Sequence, residues 1–270
     1  MTHDPVAQTA PHKVVIMARG LGTRMRKSVE GVSLTADQAA AASAGVKAMI
    51  SLDDRPFLDY VISALADAGF DEFCLVIGPE HNVIRDYYDA CEKSRLSIVY
   101  AVQEHPLGTA DAVAAAEEFA GDDRVLVVNS DNFYPEDAVA RLREVPASGT
   151  LGFTKRAMIA QSNIDPERIR AFALLDSDDS GQLTDIIEKP DPHIVDAAGE
   201  TALVSMNCFL LTPRIFEACR SIDKSERGEY EIVDAVRWMV EHGEHFDVVP
   251  VESGVLVLSP RRATILGMAG

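Results

Sequence analysis

Apolar residues arrive along this chain in two rhythms. In the first half, short apolar runs at 14–17, 73–77, 96–102 and 125–128 have the length of strands. Between them, 57–68, 81–91 and 110–120 repeat their apolar positions at helical spacing. Strands alternating with helices predict a mostly parallel sheet covered on both faces. Sheets of that kind take ligands outside the carboxyl ends of their strands. Beyond 145 the rhythm changes: 150–154, 171–175, 183–188 and 203–211 read as strands with fewer helices between them. Ser177-Asp178-Asp179-Ser180-Gly181 is the turn joining two of these. Residues 230–242 read as a last helix, and 246–259 as a closing hairpin that turns near Ser253-Gly254.

One stretch interrupts the first rhythm. Thr35-x-x-Gln38 forms a capping box, 36–43 propagate a helix, and Gly45 stops it. Residues 28–46 are thus an inserted helix, a lid or a spacer. The expected organisation is a tail at 1–12, one α/β domain over 13–259, and a second tail at 260–270. Within the domain, 13–145 form the first half and 146–259 a smaller β-rich half.

Charge narrows the partners. The formal net charge of -18 repels nucleic acid and anionic membrane, but a few focused cations and a metal can still hold a nucleotide. Cys74, Cys91, Cys208 and Cys219 show no C-x-x-C and no metal-ligand rhythm, so they read as reduced thiols. No apolar run has the length of a membrane span, and 1–12 lack an apolar signal core, so a cytoplasmic protein is expected.

Against that acidic background, 13–27 hold Lys13, Arg19, Arg24, Arg26 and Lys27 and no acid. The strand at 14–17 breaks at Gly20-Leu21-Gly22 and delivers Thr23 and Arg24. Glycines just past a buried strand let backbone N–H groups approach a phosphate chain. No Walker string occurs, and the third glycine of a dinucleotide fingerprint is missing. Further along stand Lys47, Gln103 in Gln-Glu-His-Pro-Leu-Gly-Thr-Ala, and Gly108-Thr109 opening a helix. Asp131 follows the strand at 125–128, Glu188-Lys189-Pro190 closes another, and Asn207 sits mid-strand. Gly228-Glu229-Tyr230-Glu231-Ile232-Val233-Asp234 opens the late helix. Singly each has a structural account: a turn former, a solvated strand end, a helix start that favours acid.

As an ordered series, from the G-x-G-T-R-M loop at 20–25 to Asp234, these motifs resemble the sugar-1-phosphate nucleotidyltransferases. The resemblance is strongest to the glucose-1-phosphate thymidylyltransferase and uridylyltransferase group, and it spans 14–235. It implies a Rossmann-like α/β fold with a sugar-binding β-rich portion, and transfer of a nucleoside monophosphate from UTP or dTTP to a sugar 1-phosphate, most readily glucose 1-phosphate. By resemblance Gly20, Gly22 and Thr23 hold the triphosphate, and Arg24 and Lys47 act at the reacting centre. Gln103, Gly108 and Thr109 take the base. Glu188, Lys189, Asn207 and Glu229 take the sugar phosphate, and Asp131 and Asp234 hold Mg2+. Three departures stand out: Arg19 where relatives keep Gly or Ala, Val46 where they keep Pro, and Asn207 where Gly is frequent. A homo-oligomer is compatible with all of this.

The chemistry fits the composition of the series. Two phosphorylated substrates repel by about 4 kcal/mol per charge pair at ~4 Å and an effective permittivity of about 20. Arg24, Lys47, Lys189 and a divalent metal would offset that repulsion. A phosphate dianion needs no base, and none of the seven histidines sits in a triad-like or zinc-binding arrangement. Two alternatives stay open: an inactive nucleotide- or sugar-nucleotide-binding regulator of the same fold, and a nicotinamide-dependent oxidoreductase.

Overall fold

The computed structural model describes residues 10–19, 47–52 and 54–258. Along the chain the elements are β1 (Lys13–Met17), a 3-10 turn (Lys47–Met49), β2 (Ser51–Leu52), β3 (Arg55–Pro56), α1 (Phe57–Asp67), β4 (Glu72–Ile77), α2 (Asn82–Ala90), β5 (Ser97–Val102), α3 (Thr109–Ala114), α4 (Glu117–Ala120) and β6 (Val125–Asn129). The second half adds β7 (Asn132–Phe133), α5 (Glu136–Arg143), β8 (Ser148–Thr154), α6 (Lys155–Gln161), α7 (Pro166–Ile169), β9 (Leu174–Ser177), β10 (Leu183–Ile187) and α8 (Pro192–Ala198). The chain ends with β11 (Leu203–Leu211), α9 (Arg214–Ser221), α10 (Ile232–Glu241), β12 (Phe246–Val251) and β13 (Leu256–Val257).

Strand β1 is the axis of the molecule. It pairs in parallel with β4 on one edge and β6 on the other, and β4 pairs in parallel with β5. The chain therefore steps outward through β4 and β5, then returns to the far side of β1 as β6. That reversal makes the carboxyl end of β1 a switch point, where open α/β sheets take their ligands. Val14, Val15 and Ile16 are fully buried because alternate side chains enter two different cores. Val14 and Ile16 pack with α1, α2 and α5, whereas Val15 and Met17 pack with α3, α9 and α10. Helices cover both faces, as the continuous apolar run predicts.

Strand β11 closes this parallel unit and changes partner midway. Phe209, Leu210 and Leu211 run antiparallel to β6, while Leu203 and Val204 pair with β9 on the same edge. The opposite edge pairs with β8, where four steps from Ser205 to Phe209 match two from Gly152 to Thr150. The surplus is taken up at Asn207, whose φ of 55° places it in the left-handed region. The mid-strand position expected for Asn207 is therefore a bulge. Its partner on β6 would have been Asn129, and the ladder stops short of it.

Three expectations give way. Residues 246–259 do not form a hairpin: β12 runs parallel to β8 from Phe246↔Ser148 to Val251↔Phe153, and β13 pairs antiparallel with β7. Strand β8 is buried along its whole length and gives β12 a longer partner than a hairpin would, with Phe246 and Val248 entering one core and Val251 the other. Gly254 then carries the chain over the end of α6, so close that a Cβ there would lie 2.5 Å from the Ser162 nitrogen. The helix expected over 110–120 is divided into α3 and α4, and the second half holds more helices than its strand-rich pattern suggests. The added helices are short, and the seven-residue or shorter ones present too few turns for a 3.6-residue period to register.

Candidate active site

Gly20, Gly22, Thr23, Arg24 and the 28–46 insert lie outside the described residues, as do 259 and the tail at 260–270. The remaining site residues lie in the turn at Lys47–Met49, after β5, β6 and β10, in the β11 bulge and around the start of α10.

Gln103 follows β5 directly and is 4% exposed. Its amide nitrogen donates to the Gly108 carbonyl at 3.0 Å and to Asp111 Oδ2 at 2.7 Å. Both amide hydrogens are thereby used, which leaves the side chain an oxygen to offer and no free donor. The Gln103 backbone carbonyl accepts from Arg19, whose guanidinium also meets Glu80 at 3.4 Å. The extra cation of the loop is thus bound to the protein, with its Nε buried and unpartnered. Gly108 has φ 125°, and a Cβ would lie 2.3 Å from the Tyr230 carbonyl oxygen. Its neighbours clasp the start of α10: Ala110 N–H donates to Tyr230 O at 2.9 Å, and Tyr230 N–H to Leu107 O at 2.8 Å. Thr109 Oγ1 accepts the Ile232 N–H at 2.8 Å. Gly108 and Thr109 therefore join the Gln103 loop to the helix that carries Asp234.

Where β11 leaves β6 for β9, a cavity of about 210 Å³ opens. Asn129 lines it from the end of β6, Asp131 from the turn into β7 and Asn132 from its start, Glu188 from the end of β10, and Ser205, Met206 and Asn207 from the bulge. Lys47 donates to Asp131 Oδ2 at 2.7 Å, so two residues separated by most of the first half meet at one place. The bulge is held from behind. Tyr134, buried, donates to Met206 O at 2.7 Å, and Asn132 Nδ2 donates to the same carbonyl at 3.1 Å. Burial raises the Tyr134 phenol well above its ordinary value, which keeps it a donor.

Glu188 connects this cavity to Asp234. Burial, then the charge of Glu231, pushes the Glu188 carboxyl up, and Asp234 adds to the effect while Lys189 and Arg227 oppose it. Asp234 is itself raised by burial, opposed by Arg237 and reinforced by Glu231. Arg237 meets Asp234 Oδ1 at 3.2 Å. Lys189, exposed, follows β10 with φ 46°. Glu229 is exposed, whereas Glu231, two residues on, is buried and paired with Arg227. Sequence reasoning missed Glu231, Arg227, Asp111 and Arg168. Glu231 and Arg227 lay within or beside the motif at 228–234, where the alternation of acids hid which one turns inward. Arg168, the one cation among the described lining residues, carried no signal at all.

Asp131 and Asp234 are carboxylates, the donor type a hard divalent cation takes. Among the described residues no group of three or more His, Cys, Asp or Glu is arranged to hold a metal. Magnesium, however, uses one or two carboxylates and completes its shell with water and substrate phosphate. Asp131 and Asp234 each have one carboxylate oxygen engaged by a cation, and burial, reinforced by the charge of Glu231, raises both Glu188 and Asp234.

Fold and site together define an α/β protein with a polar cavity beside the carboxyl end of β6. Residues 13–252 match the family described as nucleotidyl transferase. The low-salt glycan biosynthesis nucleotidyltransferase Agl11 of Haloferax volcanii is 31% identical over 89% of this chain and 60% of its own length. The UTP–glucose-1-phosphate uridylyltransferase AglF of the same organism is 28% identical over 89% of this chain and 88% of its own. A glucose-1-phosphate thymidylyltransferase of Streptomyces griseus is 29% identical over 86% of this chain and 58% of its own. The chain thus spans about three-fifths of the length of two of these relatives. In structure, a UTP-bound UDP-glucose pyrophosphorylase of Acinetobacter baumannii aligns with a TM-score of 0.70 at 17% identity, over 92% of this chain and 88% of that one. That likeness concerns the fold. The chain belongs to the nucleotidyl transferase family, a family of enzymes that generally depend on a divalent metal. Among the described residues no helix is long and apolar enough to cross a membrane.

Proposed function

We propose that this protein transfers a nucleoside monophosphate from UTP or dTTP to a sugar 1-phosphate, with glucose 1-phosphate as the first acceptor to test, releasing pyrophosphate. The observation that carries the reading is the meeting of Lys47 and Asp131 beside a cavity lined by Glu188 and Asn207. One cation and one acid then stand between the nucleotide end of the sheet and a pocket of sugar-binding polarity. The names of the relatives, a uridylyltransferase and a thymidylyltransferase, support a uracil or thymine nucleotide.

In this scheme an oxygen of the sugar 1-phosphate attacks the α-phosphorus in line. The P–O bond to the β-phosphate breaks, and pyrophosphate leaves with that electron pair. No side chain removes a proton, since the attacking phosphate is already ionised at neutral pH. Lys47 holds charge near the reacting phosphates, Arg24 and Lys189 do the same from the loop and from the acceptor side, and catalysis is positioning plus charge stabilisation. Gly20, Gly22 and Thr23 cradle the triphosphate, Gln103 and Gly108 face the base with Thr109 behind them, and Glu188, Asn207 and Glu229 contact the acceptor. Asp131 and Asp234 would hold Mg2+, which when bound neutralises phosphate charge. Four free cysteines, three of them buried, support a reducing, cytoplasmic setting.

Pyrophosphate release, measured with each of UTP, dTTP, GTP, CTP and ATP against glucose 1-phosphate, tests the reading. Release with UTP or dTTP is expected, and Asp131→Asn should lower kcat by a factor of about a hundred or more. Nucleotide binding without release across a panel of sugar 1-phosphates would replace the enzyme with a nucleotide-sensing relative.

A further inference from the structure

We propose that Asp111 sets which pyrimidine the protein accepts, by locking Gln103 into a single orientation as a hydrogen-bond acceptor. This rests on the reading of Gln103 as the residue that faces the base.

A glutamine amide can normally turn over and exchange its donor for its acceptor, so that alone it separates uracil from cytosine poorly. Here it cannot turn. The two groups in contact with the Gln103 nitrogen, the Gly108 carbonyl at 3.0 Å and Asp111 Oδ2 at 2.7 Å, are both acceptors. Reversing the amide would set its oxygen against two oxygens, one of them ionised, with loss of a charge-assisted hydrogen bond. No donor among the described residues meets the oxygen. Among the described residues the only buried side-chain nitrogen or oxygen lacking a partner is Arg19 Nε. The Gln103 oxygen is therefore not sealed in the protein and presents itself at the carboxyl end of β5. Arg19 holds the same residue from its other side, by donating to the Gln103 backbone carbonyl.

A fixed acceptor suits the N3–H of uracil or thymine and opposes the N3 lone pair of cytosine. Asp111 never touches the base in this arrangement. It is a positioning residue, and what it positions is a choice between hydrogen-bond polarities. Asp111→Asn keeps the shape and supplies an amide that can donate to a reversed Gln103. The Gln103 nitrogen is then free to meet cytosine N3.

The experiment compares kcat/KM for UTP and CTP in the parent, in Asp111→Asn and in Gln103→Met, with glucose 1-phosphate as acceptor and thermal melting as a check of folding. A fall of tenfold or more in the UTP:CTP ratio in both variants is the expected result. A changed ratio in Gln103→Met with an unchanged ratio in folded Asp111→Asn overturns the locking role and leaves Gln103 as base reader. An unchanged ratio in Gln103→Met overturns the base-reading assignment itself, and the lock with it. Should Asp111→Asn fail to fold, Asp111→Ser removes the carboxylate and carries the same comparison.

Discussion

Asn207 shows how one backbone angle can prepare a site. With φ at 55°, a residue bearing a Cβ is strained unless its side chain is short and polar, and glycine fits at no steric cost. Asn207→Gly should therefore fold with stability close to the parent, while Asn207→Ala should lose about 1–2 kcal/mol in chemical denaturation. Equal losses in the two variants would remove the angle as the cause. This position was legible in the sequence as a departure from glycine, although the bulge behind the departure was not. Lys47 and Asp131 were legible through the order of their motifs, and the structure brings them to 2.7 Å. Asp111 was not, because nothing in its neighbourhood marks it. Its importance arises only when the β5 end turns the Gln103 amide toward it. Arg168 was hidden for the same reason, its cavity being made by strands that lie far apart in sequence.

At the level of elements, the first half was readable because β1, β4 and β6 are buried on both faces and appear as uninterrupted apolar runs. The second half misled where partners were remote. An apolar stretch such as 246–251 fits a hairpin or a parallel pairing equally well, and only the presence of β8, about a hundred residues earlier, decides between them. The join between the Gln103 loop and α10 is another tertiary decision with a measurable consequence. Thr109 accepts the first free N–H of that helix, in the manner of an N-cap supplied from another segment. Thr109→Val should cost about 1 kcal/mol, within the usual range for a lost cap. Because α10 carries Asp234, kcat should also fall severalfold, with the UTP:CTP ratio unmoved. A variant with full activity and lower stability would confine the contact to folding.

Across the whole molecule, the acidic charge is not spread evenly in its effects. Glu188 and Asp234 both have carboxyl pKa values raised above their ordinary 4.5 and 3.8, burial being the first cause. A carboxyl raised by folding contributes stability in full below its unfolded value, and that contribution is lost as pH rises through the folded value. At pH 7 these two groups are therefore a net liability, carried for the sake of the site. Glu188→Gln should raise the melting temperature at pH 7 and flatten the decline in stability that the parent shows above about pH 4.5. Millimolar magnesium should stabilise the parent more than it stabilises Asp234→Asn. A Glu188→Gln melting curve identical to the parent's at every pH would remove the liability. The break between β11 and β6 bears on the same economy. The sheet withholds one rung of its own ladder next to Asn129, where the cavity of about 210 Å³ opens. Under the proposed function an acceptor seated there would bridge the broken ladder, so occupancy and rigidity should rise together.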